Sequence, residues 1–388
     1  MEMLASCFLL HGAPPKSFKP HTLQGQGCTS SPPLTAHGRR SVSIVRSVQA
    51  HAGTGTNGYS IDVATGGSNT ERPQGGDVVV VNGSGTSFDF ELYLSAKAKA
   101  VDDALDAALW RRVRGPERLS ESVRYSVLAA GGKRVRVRPV LAIAACELVG
   151  GEASAAAPVA CAAEMIHAAS LIQGDMPCMG DDAMRRGRRL ANHATFGEST
   201  ALLAGDALLA FAFEHVARGC AELGVPAERA VRAIAELGSA AGAGAAGHVA
   251  DKASEGVAGV SLATLEYIQV HRTARLLEAS AVSGAVVGGG NDEEIERVRR
   301  YARCIGLFFR VVDDVLDATR ASGQVGKTAG KDMAGGGKAT YSNLLGVERA
   351  RAYATELLVE AFLELDGFDA GRAEPLRHLA RLTAVWMK

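Results

Sequence analysis

From Phe88 onward a single pattern governs the chain. The segment FDFELYLSAKAKAVDDALDAALW sets apolar residues at helical spacing with charges between them. The rest is rich in Ala, Leu, Glu and Arg, the strong helix formers. Short glycine-containing breaks at 131–132, 150–151, 242–247, 288–290 and 335–337 divide it into segments. Convincing alternating β runs are absent; the VVVV of 78–81 is short and precedes the helical region. About 300 residues of helix with short connections predict an all-α fold: one large single-domain helical bundle over 88–388. Its alanine density suits helices packed closely in a large core.

The 87 residues before this region are of another kind. Residues 1–60 hold one acid, Glu2, against five lysines and arginines and thirteen serines and threonines. Acid-poor, Ser-rich and Arg-containing is the composition of an organelle transit peptide, assigned here to 1–51, with RRSVSIVRSVQA (39–50) as a processing region. Gly, Ser, Thr and Asn dominate 52–87, which reads as a flexible linker.

Lysine plus arginine balances aspartate plus glutamate at 42 each, and aromatics make up 5%. No net charge or basic-aromatic patch points to nucleic acid. Seven cysteines without CxxC or Cys/His spacing read as reduced thiols of an intracellular protein rather than a zinc site or disulfide framework. Glu147, Glu164, Asp206 and Glu214 interrupt the apolar stretches, so no transmembrane segment is expected, and at most a peripheral membrane association.

The clearest chemistry lies in FFRVVDDVLDATRASGQVGKTAGKD, 308–332. Asp313 and Asp317 stand four apart on a predicted helix and project from one face, with Asp314 beside them. Carboxylates a turn apart in an apolar sequence repel and desolvate badly unless a cation joins them. Oxygen-only ligands of this kind suit Mg²⁺, which keeps waters and shares phosphate oxygens. Lys327 and Lys331 follow on a Gly-rich segment, placed as diphosphate partners would be.

Together, this DDxxD, the following GKTAGKD, the upstream GGKRVR, the RRG, NH and FGE segments and HRTARLLEAS resemble the trans-isoprenyl diphosphate synthases, most of all the plastid geranylgeranyl diphosphate synthases of plants. The resemblance spans about Phe88 to Ala370. It implies a helical bundle with two aspartate-rich helices facing each other across a central cavity. In active members Mg²⁺ on both clusters grips an allylic diphosphate. Ionisation then gives a cation that isopentenyl diphosphate attacks, which needs the leaving charge neutralised from both sides. By the resemblance, substrate contacts fall on Lys133, Arg136 or Arg138, His167, Arg185, Arg186, Arg272, Thr273, Arg310, Lys327 and Lys338, and metal contacts on Asp313, Asp314, Asp317 and Asp175.

Where the family reads HDDLPCMDNDDLRRG, this chain reads QGDMPCMGDDAMRRG. Gly174 and Gly180 replace two of the three ligand aspartates, Asp175 survives, and Ala183 stands where another acid usually follows. Asp181 and Asp182 remain nearby. On a continued helix Asp175 and Asp182 would lie two turns apart, too far for one small ion, and the two glycines would weaken that helix by roughly 1 kcal/mol each.

Other family positions also differ. Arg310 replaces a glutamine before the second cluster, Arg272 a lysine, and His248 the glutamine of the GQxxD segment ending at Asp251. GGKRVRVRPV carries two extra residues, leaving Arg136 and Arg138 as alternatives for the isopentenyl diphosphate contact.

Losses confined to ligand positions predict a small, regulatory subunit, inactive alone, in a plastid heterodimeric geranyl/geranylgeranyl diphosphate synthase, with a weak or partial Mg²⁺ site. Its partner would be a catalytic large subunit, its ligands isopentenyl and allylic diphosphates, and its place the chloroplast, with at most a peripheral association with thylakoid membranes. A divergent active geranylgeranyl diphosphate synthase using Asp175, Asp181 or Asp182 is the alternative. Family small subunits meet their partners through CxxxC motifs, and here the first cysteine is Ala142, leaving Cys146 as a small buried hydrophobe.

Overall fold

The computed structural model describes residues 88–112, 116–128, 136–180, 182–185, 189–257, 259–323 and 339–385. The leader and linker assigned to 1–51 and 52–87 lie outside them.

Thirteen α-helices form the described part, which is all-α as the composition predicts. They are α1 (Phe90–Arg112), α2 (Glu117–Val127), α3 (Val137–Leu148), α4 (Ala153–Asp175), α5 (Asn192–Phe196), α6 (Glu198–Glu222) and α7 (Ala227–Ser254). Then come α8 (Leu262–Gln269), a π-helical turn (Val270–Ala274), α9 (Arg275–Gly288), α10 (Asp292–Gly323), α11 (Tyr341–Leu345), α12 (Val347–Leu365) and α13 (Ala370–Val385). A two-residue antiparallel pair, β1 (Met184–Arg185) with β2 (Arg189–Leu190), is the one extended element among the described residues.

The centre is built from α3, α4 and α9, whose small residues let backbones meet. A Cβ on Gly284 of α9 would lie 1.9 Å from the Ala142 carbonyl oxygen of α3, so only glycine fits that crossing. Cys146 is packed in the same seam, its thiol donating to the Glu152 carbonyl at 3.3 Å and pushed up to about 12 by burial. A side chain sealed in this way does not present itself to a partner.

Three sequence expectations are corrected. Residues 242–247 do not break the chain, for α7 runs through them. Its alanines and its packing against α9 outweigh the roughly 1 kcal/mol each glycine costs. Acids also fail to exclude every span-length apolar helix: α4 and α6 both qualify by length and composition. The apolar stretch of α4 is 72% buried in the protein, as a core helix requires, whereas that of α6 is only 33% buried. The third correction concerns the end of α4 and belongs to the site.

Candidate functional site

At the end of α4 the chain turns back instead of continuing. Pro177 forces Met176 into an extended conformation (ψ 147°), which stops the helix at Asp175. The Gly180 N–H then donates to the Gly174 carbonyl at 3.0 Å, and the Asp182 N–H to the Asp175 carbonyl at 3.3 Å. Asp182 is therefore folded back beside Asp175, not two helical turns beyond it. Only Gly174 is helical; Gly180 lies in the turn, so the expected propensity cost at Gly180 does not arise. A Cβ there would sit 2.6 Å from the Gly174 carbonyl oxygen, whereas one on Gly174 would make an ordinary 3.5 Å contact with His248 Cε1.

Asp175 is buried and has polar company, whereas Asp182 is exposed. Asp181 lies outside the described residues. His167 is half-buried on α4, about 12 Å of helix rise before Asp175.

From Gly174 a strip of polar groups leads to the second cluster. His248 of α7 faces Gly174, and its Nε2 is 3.5 Å from Ser170 Oγ. One turn on, Asp251 accepts a short bond from Arg272. Arg272 and Thr273 sit on the π turn, a rare distortion that is frequent at functional sites. Gln269, the last residue of α8, reaches across to α10, where its Oε1 accepts from Arg310 Nε at 2.7 Å. Arg310 in turn lies 3.3 Å from both Asp313 Oδ2 and Asp314 Oδ1. The second oxygen of Asp314 accepts the Tyr341 N–H at 2.9 Å.

Burial raises the carboxyl of Asp314 above its ordinary value, against the opposing pull of Arg310 and the Tyr341 N–H. Asp313 is pushed the same way, again first by burial, but its side chain is 54% exposed, so solvent screens much of that push. Asp317 is exposed.

The resemblance implies Arg136 or Arg138 as the isopentenyl diphosphate contact, and the two side chains have different surroundings. Arg136 is the one non-glycine residue with positive φ among the described residues (φ 46°), at the N-terminus of α3. This places its guanidinium where α1, α2 and α4 meet. Nε donates to Asp102 at 2.8 Å, Nη1 to Glu164 at 2.6 Å, and Nη2 to Asp102 and to the Val127 carbonyl at 2.9 Å. Four of its five donors are thus spent on the fold, so Arg136 is a structural tie and its expected diphosphate contact is not supported. The Nε of Arg138 is buried with no hydrogen-bond partner. Asn192 of the NH segment is likewise structural, donating to Ser126 Oγ at 2.7 Å and the Ser122 carbonyl at 3.0 Å.

Arg185 enters only as backbone of β1. Lys133, Arg186, Lys327, Lys331 and Lys338 lie outside the described residues. Sequence reading missed Gln269, which sits three residues before Arg272, and Tyr341, whose backbone N–H carries no signal in its residue type.

Residues 116–367 match the family model described as polyprenyl synthetase. The chain belongs to this family of isoprenoid chain-building enzymes. It is 54% identical over 301 residues (76% of this chain, 84% of the relative) to geranylgeranyl pyrophosphate synthase 7, chloroplastic, of Arabidopsis thaliana. It is also 54% identical over 303 residues (77% and 80%) to the heterodimeric geranylgeranyl pyrophosphate synthase large subunit 1, chloroplastic, of the same plant. Among solved structures, an apo FPP/GFPP synthase from Zymomonas mobilis superposes with a TM-score of 0.66 at 33% identity, covering 76% of this chain and 98% of that one.

Polyprenyl synthetases are generally Mg²⁺-dependent, so the donors must be weighed against that ion. Among the described residues no three His, Cys, Asp or Glu side chains converge as metal ligands. Gly174 and Gly180 offer no oxygen from a side chain, Asp314 is committed to Arg310 and Tyr341, and a guanidinium flanks Asp313. Mg²⁺ asks for a near-octahedral set of unengaged oxygens. The described residues do not fit that requirement.

Proposed function

We propose that this chain is a regulatory, non-catalytic subunit that pairs with a catalytic geranylgeranyl diphosphate synthase in the chloroplast and alters its rate or product length. The observation that carries the reading is the end of α4, where Gly174 and Gly180 stand at two of the three positions that hold acids in the resembling enzymes. Without them, one side of a diphosphate clamp lacks the oxygens that would hold the Mg²⁺ needed to stabilise a departing diphosphate. The apolar core is meanwhile intact, so the chain is suited to folding and pairing while ill suited to ionising an allylic substrate.

Pairing is supported by α6, an apolar helix that leaves Leu202 50% and Leu203 59% exposed. Leucines exposed on so apolar a helix offer a surface that a protein partner would cover. A relative named as the large subunit of a heterodimeric synthase makes such a pair a reasonable occupant. The acid-poor leader and the chloroplastic relatives support plastid targeting, and the products would feed chlorophyll, carotenoid and prenyl-lipid synthesis.

One second reading has an observation in its favour. Identity of 54% to a relative named as a synthase, together with the retained Asp313 and Asp317, favours a divergent active geranylgeranyl diphosphate synthase. Co-expression with a catalytic plastid synthase separates the two. The regulatory reading expects a stable heterodimer whose rate or chain length differs from that of the synthase alone. A pair that fails to form, or forms with unchanged output, counts against it.

A further inference from the structure

We infer that Arg310 is a built-in counter-cation that takes the place of a divalent metal at the second acidic cluster, so that this cluster binds no Mg²⁺ by itself. The inference deepens the proposed function by saying how the remaining half of the clamp is held inactive, and it rests on that reading.

The geometry is that of a fitted part. Arg310 precedes Asp313 by three and Asp314 by four residues on α10, the helical spacing at which side chains meet. Its two terminal nitrogens divide between the two carboxylates at 3.3 Å each, while Nε is anchored to Gln269 at 2.7 Å from another helix. The anchor aims the planar fork at the acids, which a glutamine or a lysine could not reproduce. Asp314 is fixed from its far side by the Tyr341 N–H at 2.9 Å, and its carbonyl by Ser342 Oγ at 3.0 Å.

A Mg²⁺ ion bridging Asp313 and Asp317 would need Asp313 free and would lie within a few ångströms of the guanidinium. The cluster cannot serve both cations. The tethered one wins because it is already in place, pays no association entropy and has its third contact on Gln269.

The test is a calorimetric titration of Mg²⁺ alone, with no diphosphate, into the full-length chain. Wild type, Arg310→Gln and the double variant Arg310→Gln with Asp313→Asn are compared. Removing the guanidinium is expected to tighten Mg²⁺ binding about tenfold or more, and the double variant to lose the gain. Equal affinity in wild type and Arg310→Gln would overturn the inference. If Arg310→Gln does not fold, wild type decides. Saturable Mg²⁺ binding that Asp313→Asn abolishes overturns the inference, and its absence supports it. Because the titration contains no substrate, its result is independent of turnover. A chain that proved active would defeat the regulatory reading without touching the metal measurement.

Discussion

Putting the missing acids back has unequal consequences at the two glycines. At Gly180 a Cβ would stand 2.6 Å from the Gly174 carbonyl oxygen and 3.3 Å from Asp182 Oδ2. The first of these is backbone at the end of α4, tied by the 3.0 Å bond from Gly180 N–H itself, so it cannot swing away as a side-chain tip would. Forcing a methylene into such a site costs about 1–3 kcal/mol, and aspartate adds repulsion from Asp182. At Gly174 the nearest neighbour is His248 Cε1 at 3.5 Å, an ordinary contact. There, aspartate gains a few tenths of a kcal/mol in helix propensity. It loses about 0.3–1 kcal/mol as an anion in the last helical turn. The sum is close to zero. Urea denaturation of Gly174→Asp, Gly180→Asp and Gly180→Ala tests this, the alanine variant separating the Cβ from the charge. Both substitutions at 180 are expected to lose about 1–3 kcal/mol, while Gly174→Asp stays within about 1 kcal/mol of wild type. A Gly180→Ala protein as stable as wild type would refute the packing argument, as would an equal loss at Gly174.

Three further outcomes follow from the same contacts. Arg136→Ala leaves Glu164 buried beside a lost partner and is expected to cost about 3–5 kcal/mol, read by urea denaturation; a loss under about 1 kcal/mol would contradict the structural role. Glu236 accepts from both terminal nitrogens of Arg299, at 2.7 and 3.0 Å, and this pairing holds its carboxyl below the ordinary 4.5. Because the folded value is depressed, the stability it contributes is fully present above 4.5 and disappears as pH falls through the folded value. The gap in unfolding free energy between wild type and Glu236→Gln should therefore be widest near neutrality and close in acid; a gap that does not vary with pH would contradict the assignment. On α6, Leu203→Glu places a charge at the proposed partner face and should weaken co-purification with a catalytic synthase while leaving the circular dichroism spectrum unchanged.

The helical bundle was readable because alanine-rich amphipathic segments carry their own period, and the second acidic cluster because Asp313 and Asp317 announce themselves at i and i+4. What could not be read was settled by distant partners or by local backbone. Arg136 finds Asp102 and Glu164 across 34 and 28 residues of sequence, and its left-handed conformation leaves no compositional trace. Arg310 finds Gln269 across 41 residues. The reversal after Asp175 was in principle legible, since Pro177 disfavours helix at Met176. The family register encouraged a continuous helix instead. The unbroken course of α7 through Gly242 and Gly244 shows the opposite error, local glycine preference overruled by packing.

The most direct test of the central claim is turnover by the chain alone. Full-length and leader-free protein (from about residue 52) would be incubated with Mg²⁺, dimethylallyl diphosphate and isopentenyl diphosphate, beside a catalytic plastid synthase under the same conditions. The account predicts no prenyl diphosphate product above background from this chain by itself. Product formation at a rate comparable to the synthase would contradict it, and would mean that Asp175 and its folded-back neighbours still hold metal against a diphosphate.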